Sequence, residues 1–141
     1  MERKNTDQLQ QELMTGNDLD RVLADNDSSF QGYALQERLQ ALFQRRDISK
    51  TALARQSGIS EVYLHQVFSG RRTPSRNRLL CLCFGLGASV EEAQDLLRHA
   101  RLAPLYSRDR RDAIVIFGLS HGMALAEIND KLYAEDADTL C

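Results

Sequence analysis

Basic side chains gather around one short stretch of this chain, where they could bind phosphate groups. Residues 31–80 hold nine lysines and arginines against three acidic residues, while residues 1–30 hold three against seven and residues 81–141 hold six against ten. Five of the nine surround one motif: Lys50, Arg55, Arg71, Arg72 and Arg76. The whole chain has a net charge of −2, so its positive charge is local. Such a cluster suits a polyanion such as nucleic acid, and an ordinary solvated surface is the alternative.

The basic cluster surrounds two short predicted helices joined by a tight turn. Ser49 caps a first helix that ends at Gly58, and Ser60 caps a second helix. Apolar residues recur on one side of the second helix at i, i+3 and i+4: Leu64, Val67 and Phe68. Isolated helices shorter than roughly 12 residues are marginal in water. The flanking chain must therefore cover the apolar sides of this pair.

Helices on both sides of the pair complete a small domain. The preceding helix carries apolar residues at i, i+4, i+7 and i+8: Leu35, Leu39, Leu42 and Phe43. Pro74 and Ser75 open the next helix, and Ser89 caps a further one that ends before Pro104. The pattern predicts an all-α domain at residues 31–100.

The ordered motif resembles a known family, the lambda-repressor-like, Cro/C1-type helix-turn-helix proteins, also called the XRE family. The matching residues lie between 33 and 90, under half of the chain, and are Leu53, Ala54, Gly58, Ile59, Ser60, Leu64, Val67, Gly70, Arg71, Pro74, Ser75, Leu79, Leu80, Leu86 and Gly87. The resemblance implies a five-helix repressor-like domain that binds double-stranded DNA with sequence specificity. It also implies a transcriptional regulator, most often a repressor.

The resemblance implies that helix 61–68 enters the DNA major groove by its N-terminal end. The side chains that would contact bases are Glu61, Val62, Tyr63, His65 and Gln66. Those that would contact phosphates are Lys50, Thr51, Ser60, Arg71, Arg72 and Arg76. The side-chain chemistry agrees, because Gln66 can pair with adenine, Glu61 can accept from cytosine N4 and Val62 can touch a thymine methyl.

One departure from the family pattern keeps a second function open. Phe68 stands where many relatives carry Glu, and Val62 and Tyr63 make the reading surface unusually apolar. An exposed aliphatic residue beside an aromatic one is also a plausible protein contact. The alternative is an interaction adaptor that derives from a helix-turn-helix and does not bind DNA.

The C-terminal third repeats a pattern of the predicted domain. Residues 81–86 read Cys-Leu-Cys-Phe-Gly-Leu, and residues 114–119, at an offset of 33, read Ile-Val-Ile-Phe-Gly-Leu. The match continues after a two-residue insertion and predicts two helical hairpins, 76–100 and 108–134. It also predicts that Ile114–Phe117 is helical despite its β-branched residues. The alternative is that the similarity arose by chance. We expect residues 101–141 to form a C-terminal helical hairpin extension. It would serve as a homodimer interface or pack back on its own chain.

The first thirty residues form a separate acidic N-terminal segment. Its apolar residues predict two short amphipathic helices broken at Gly16, followed by a loop at 26–29. The segment could dock on the core or on a regulatory protein partner. Its negative charge argues against a role as an arm that binds DNA.

Composition excludes several classes of protein. Without a run of 18 apolar residues or an apolar leader, we expect no membrane span and no signal peptide, hence a cytoplasmic protein. The odd number of cysteines agrees with a reducing compartment. Cys81 and Cys83 lack a second ligand pair for a metal, and no nucleophile accompanies the scattered histidines. We expect no enzyme activity, cofactor or metal.

Overall fold

The computed structural model describes residues 6–26 and 31–141, and all regular structure within them is helical. The helices are α1 Thr6–Thr15, α2 Leu19–Asp25, α3 Gln31–Arg45, α4 Lys50–Gln56, α5 Glu61–Phe68, α6 Arg76–Leu86, α7 Val90–His99, α8 Arg110–Ser120 and α9 Leu125–Ala134. The predicted all-α fold with a helix-turn-helix is confirmed. Most of the loop predicted at 26–29 lies outside the described residues.

Serine caps begin the four helices α4, α5, α6 and α7 where the sequence predicts them. The Ser49, Ser60, Ser75 and Ser89 hydroxyl oxygens each accept a bond from the backbone N–H three residues later, at 3.1 to 3.3 Å. Each cap satisfies an N–H group that has no partner inside its helix. The short helices therefore begin at defined residues, and packing then holds them in place.

Helices α3, α4, α5, α6 and α7 pack around the first part of a hydrophobic core that continues into α8 and α9. Apolar side chains from all five helices are fully or almost fully buried there: Leu39, Leu53, Leu64, Leu79, Leu80, Leu96 and Leu97. Two ion pairs tie α3 to α7 on the outside, Arg38 to Asp95 at 2.8 Å and Arg45 to Glu92 at 2.7 Å. This framework positions α4 and α5 at the surface.

The predicted C-terminal hairpin is present as α8 and α9, and Ile114–Phe117 is helical as expected. Its inner face joins the central core through Val115, Ile128 and Leu132, which are at most 1% exposed. Thus one face of the hairpin packs back on its own chain.

The predicted N-terminal helices are also present, as α1 and α2 on either side of Gly16. The Asn26 side chain joins them by donating to Glu12 Oε1 at 2.8 Å and to the Val22 carbonyl oxygen at 2.9 Å. None of the described helices is both long and apolar enough to cross a membrane.

Candidate nucleic-acid interface

The tight turn between α4 and α5 sets the relative direction of the two helices. Gly58 adopts a left-handed conformation, with φ of 64°, that costs a glycine little. The next N–H, that of Ile59, returns to the Ala54 carbonyl oxygen at 3.1 Å, and the Ile59 side chain is buried beneath the turn. Helix α5 therefore leaves the turn with one face fixed against the core.

The two sides of α5 are sharply different. Leu64 and Val67 are at most 2% exposed, whereas Val62 is 67% exposed on the opposite side. Glu61 and His65 are exposed with Val62, and Gln66 is half-buried at the edge of this face. The structure thus presents four of the five predicted base-contacting side chains on one accessible side of the helix.

The loop after α5 holds two arginines beside the end of that helix. The backbone N–H groups of Arg71 and Arg72 both donate to the Gln66 carbonyl oxygen, at 2.9 and 3.2 Å. Both side chains are exposed, and neither forms an ion pair within residues 6–26 and 31–141. Two guanidinium groups therefore flank the exposed face of α5 without a neutralising carboxylate.

Tyr63 is placed differently from the other predicted base contacts. Its half-buried ring lies under two guanidinium groups, with Arg72 Cζ 5.4 Å and Arg78 Cζ 5.0 Å from the ring centroid. Cation–π contacts of this kind are worth about 0.5–1 kcal/mol at exposed sites. The ring therefore orients two arginines, and Arg78 joins the basic surface although the sequence interpretation did not select it.

Phe68 belongs to the packing rather than to the reading face. Its ring meets that of Phe43 edge to face, with centroids 5.7 Å apart, and Lys50 Nζ lies 5.1 Å from its centroid. The ring thus joins α5 to α3 and supports Lys50 at the start of α4.

A shallow depression of about 510 Å³ lies next to Phe68 on the surface of α5. The residues that line it are Gln40, Lys50, Val62, His65, Gln66, Phe68, Ser69 and Arg71.

Three predicted phosphate contacts lie at helix starts. Lys50 and Thr51 open α4, and Ser60 caps α5 with its hydroxyl oxygen already accepting from the Tyr63 N–H. Thr51 and Ser60 are exposed and Lys50 is half-buried. These residues lie beside helix N-termini, where backbone N–H groups favour an anion.

Arg76, the remaining predicted phosphate contact, is turned inward. Its guanidinium donates to both Asp112 carboxylate oxygens, at 2.9 and 3.2 Å, and to the carbonyl oxygens of Ala103 and Pro104. Because these partners occupy the N–H groups of the guanidinium, Arg76 joins α6 to α8 and does not point to solvent with Arg71 and Arg72. The sequence around Arg76 gives no sign that its side chain binds Asp112. Arg78, by contrast, could have been selected from the sequence, because it is one of the nine basic residues in 31–80.

Comparison with known proteins agrees with this geometry. A family model described as a helix-turn-helix domain matches residues 34–96. This region is similar to a helix-turn-helix domain. The match covers α4, the turn, α5 and α6 together with most of α3 and α7, and it supports a DNA-binding protein of the helix-turn-helix class. No curated protein and no solved structure matches the chain.

Proposed function

We propose that this chain is a transcriptional regulator of the XRE type, most simply a repressor, that binds double-stranded DNA with sequence specificity. The observation that carries the proposal is the pairing of an accessible α5 face with two unneutralised arginines at its end. An α-helix fits into the major groove of DNA, so the exposed face of α5 can lie against base edges there. The basic residues are concentrated around this surface although the whole chain carries a net charge of −2.

The proposed division of labour follows side-chain chemistry. Glu61, Val62, His65 and Gln66 face base edges, with Gln66 able to pair with adenine through its amide. Phosphates are held by the three arginines Arg71, Arg72 and Arg78, and by Lys50, Thr51 and Ser60 at the starts of α4 and α5. Lys50 and Arg71 line the same depression beside α5. Phosphate contacts supply most of the affinity and fix the register, while base contacts supply the preference for a sequence.

We further propose that two copies bind together through α8 and α9. The outer side of this hairpin holds an open groove of about 830 Å³ whose apolar lining is Ala113, Ile114, Phe117, Met123, Ile128 and Ala134. Phe117, at 55% exposed, is the large apolar side chain of this lining that is most open to solvent. A self-complementary contact of this kind gives a two-fold dimer that suits a palindromic site.

The decisive experiment measures binding to labelled duplex DNA by fluorescence anisotropy over a salt series. Replacing Arg71 and Arg72 by Ala together is expected to weaken binding to all sequences and to reduce the slope of log K against log salt by about two. The matched control removes two other arginines, Arg98 and Arg108, and is expected to leave the slope unchanged. Equal slopes for the two double variants would refute this docking.

A second variant separates base reading from charge. Gln66→Ala is expected to keep the salt slope and to lose about 1–3 kcal/mol of preference at one base pair of a selected site. Sites selected from random duplexes provide the target. A uniform loss across sequences would instead place Gln66 outside the reading surface.

The second candidate function, a protein adaptor, is favoured by Val62. Its side chain is 67% exposed beside the 510 Å³ depression, so an apolar partner side chain could be received there. In that case the folded chain would not bind duplex DNA even at about 50 mM salt, where phosphate contacts are strong. Val62→Ser would then disrupt partner binding and leave folding unchanged.

A further inference from the structure

Two thiols that are far apart in the sequence meet beside the helix-turn-helix. Cys81 is fully buried on α6, and its Sγ donates to the Leu140 carbonyl oxygen at 3.6 Å. Cys141 follows Leu140 immediately in the chain, so the Cys81 thiol contacts the peptide group that leads into Cys141. Cys83, the remaining cysteine, is buried elsewhere on α6. One buried thiol and one exposed thiol therefore form a pair.

The segment that carries Cys141 is held in place by several bonds. Leu140 is 3% exposed, and its N–H donates to Asn129 Oδ1 at 2.8 Å. The Asn129 amide donates to Cys141 Sγ at 3.1 Å, while Arg111 donates to two further carbonyl oxygens of the segment, at 2.7 and 3.2 Å. Cys141 Sγ also lies 3.1 Å from the point that a Cβ on Gly58 would occupy. The thiol is thus fixed between α9 and the turn before α5.

We propose that Cys81 and Cys141 form a reversible intramolecular disulfide when a hydroperoxide is present, and that this bond locks the C-terminal segment to the helix-turn-helix domain. A disulfide requires two cysteines whose backbones lie close together, and the 3.6 Å contact of the Cys81 thiol with the Leu140 carbonyl oxygen places Cys141 next to it. Reversible bonds of this kind in reducing compartments are typically sensing devices. The chemistry does not depend on DNA binding.

The two thiols take different parts in the reaction. Cys141 is exposed and meets the peroxide first, whereas burial raises the pKa of Cys81 to about 12 and keeps it a neutral thiol. Cys141 sulfur takes one oxygen atom from hydrogen peroxide, giving a sulfenic acid and water. Cys81 sulfur then attacks Cys141 sulfur, the S–O bond breaks, and the hydroxide leaves as water with the Cys81 proton. Two thiols are oxidised and one peroxide is reduced to two waters.

The test treats the full chain with hydrogen peroxide and measures the intact mass without a reductant. We expect the loss of two hydrogen atoms, a peptide that joins Cys81 to Cys141, and full reversal by dithiothreitol. Cys141→Ser should abolish the change without disturbing the core, and Cys81→Ala should abolish it as well. The matched control is Cys83→Ala, which alters the same helix and should still form the bond.

Thermal unfolding tests whether the bond locks the segment. The oxidised chain is expected to show a Tm higher than the reduced chain by roughly 5 °C or more, because the bond closes a long loop. Oxidation that stops at Cys141 sulfenic or sulfinic acid, a bond between two chains, or a link through Cys83 would each overturn the proposal. A disulfide that leaves Tm unchanged would overturn the locking role.

Discussion

The hairpins α6–α7 and α8–α9 have the same dimensions and different surroundings. Helices α6 and α8 have 11 residues each, and α7 and α9 have 10 each. In the first hairpin Cys81, Leu82 and Cys83 are all fully buried; of their counterparts in the second, only Val115 is fully buried. Phe84 is half-buried, while its counterpart Phe117 is 55% exposed.

The difference comes from what lies over each hairpin. Helix α6 packs against α4 as well as α7 and α9, so the helix-turn-helix covers the first hairpin. Helix α8 packs against α7 and α9, and its remaining side opens into the 830 Å³ groove. One sequence pattern can therefore build either a covered core element or an open face, and the neighbouring helices decide which.

The largest effect on folding is expected where the two hairpins are joined. Asp112 is 6% exposed and holds the Arg76 guanidinium, so Asp112→Asn leaves a mostly buried positive charge without its counter-charge. We expect a loss of about 2–4 kcal/mol in the free energy of unfolding, measured by urea denaturation. Asp130→Asn, an exposed aspartate on α9, is the control and should change little. Equal stability of the two variants would show that the hairpins are not joined through this pair.

The next effect compares two glycines at matching positions of the repeat. A Cβ on Gly85 would collide with the buried Ser57 hydroxyl and lie 3.1 Å from Leu53 Cδ1. One on Gly118 would collide with Cδ1 and Cγ1 of Ile128 and lie 3.1 Å from Phe84 Cε1, but Ile128 also lines the open groove and has room to shift. Alanine normally favours a helix over glycine by about 1 kcal/mol. We expect overpacking to reverse this, with Gly85→Ala losing about 2 kcal/mol and Gly118→Ala about 1 kcal/mol. The reverse order in urea denaturation would contradict the view that α6 is the more tightly covered helix.

A smaller effect is expected at the helix starts. Glu92 accepts from the Ser89 N–H at 2.8 Å, and the Arg45 guanidinium, followed by that backbone bond, holds the pKa of Glu92 at about 2. The corresponding Ala124 has no side-chain oxygen, so α9 keeps only the Glu127 bond at 3.3 Å. Glu92→Gln should cost about 1 kcal/mol at neutral pH after allowance for solvent screening, and Glu127→Gln less.

The pH dependence of the Glu92 effect has a definite sign. A carboxylate whose pKa falls on folding stabilises the protein above its unfolded value of about 4.5, and that contribution is lost as the pH falls toward 2. The difference in Tm between the natural chain and Glu92→Gln should therefore shrink between pH 5 and pH 2. A difference that stays constant over this range would contradict the assignment of the effect to the ionised Glu92 carboxylate.

The smallest effect on folding is expected at Phe117, where the groove is open. Phe117→Ser should change stability by less than about 1 kcal/mol, because more than half of the ring is exposed and its stack on His121, with centroids 3.9 Å apart, lies at the surface. If the groove joins two copies, the same variant should weaken self-association at least tenfold in sedimentation equilibrium. Tyr106→Ser is the matched control, because Tyr106 is 58% exposed outside the groove lining. Equal association of both variants would remove the dimer role of this face.

Local signals account for the features that could be predicted from the sequence. The capping serines, Gly58 and the apolar spacing of Leu64 and Val67 act within a few residues of themselves, so they predict helix starts, the turn and the buried side of α5. The repeat of residues 81–86 at residues 114–119 similarly predicts that Ile114–Phe117 is helical. These features appear in the structure where the sequence places them.

Side-chain roles that depend on distant partners could not be predicted in the same way. Arg76 and Arg78 are two residues apart, yet one is bound to Asp112 and the other lies exposed over Tyr63. Nothing in their immediate neighbours distinguishes them, because the distinction comes from α8 and α5. The same holds for Phe68, whose role follows from Phe43 on another helix.

The helices, their caps, the tight turn and the local concentration of positive charge follow directly from the sequence, because they depend on short-range bonding and on composition. Tertiary packing decides whether Arg76 or Arg78 is ion-paired, which hairpin face stays open and which cysteine contacts the C-terminal segment. Those outcomes depend on close packing between segments that are distant in the chain, and the spacing of residues along one segment carries no record of the segment that will cover it.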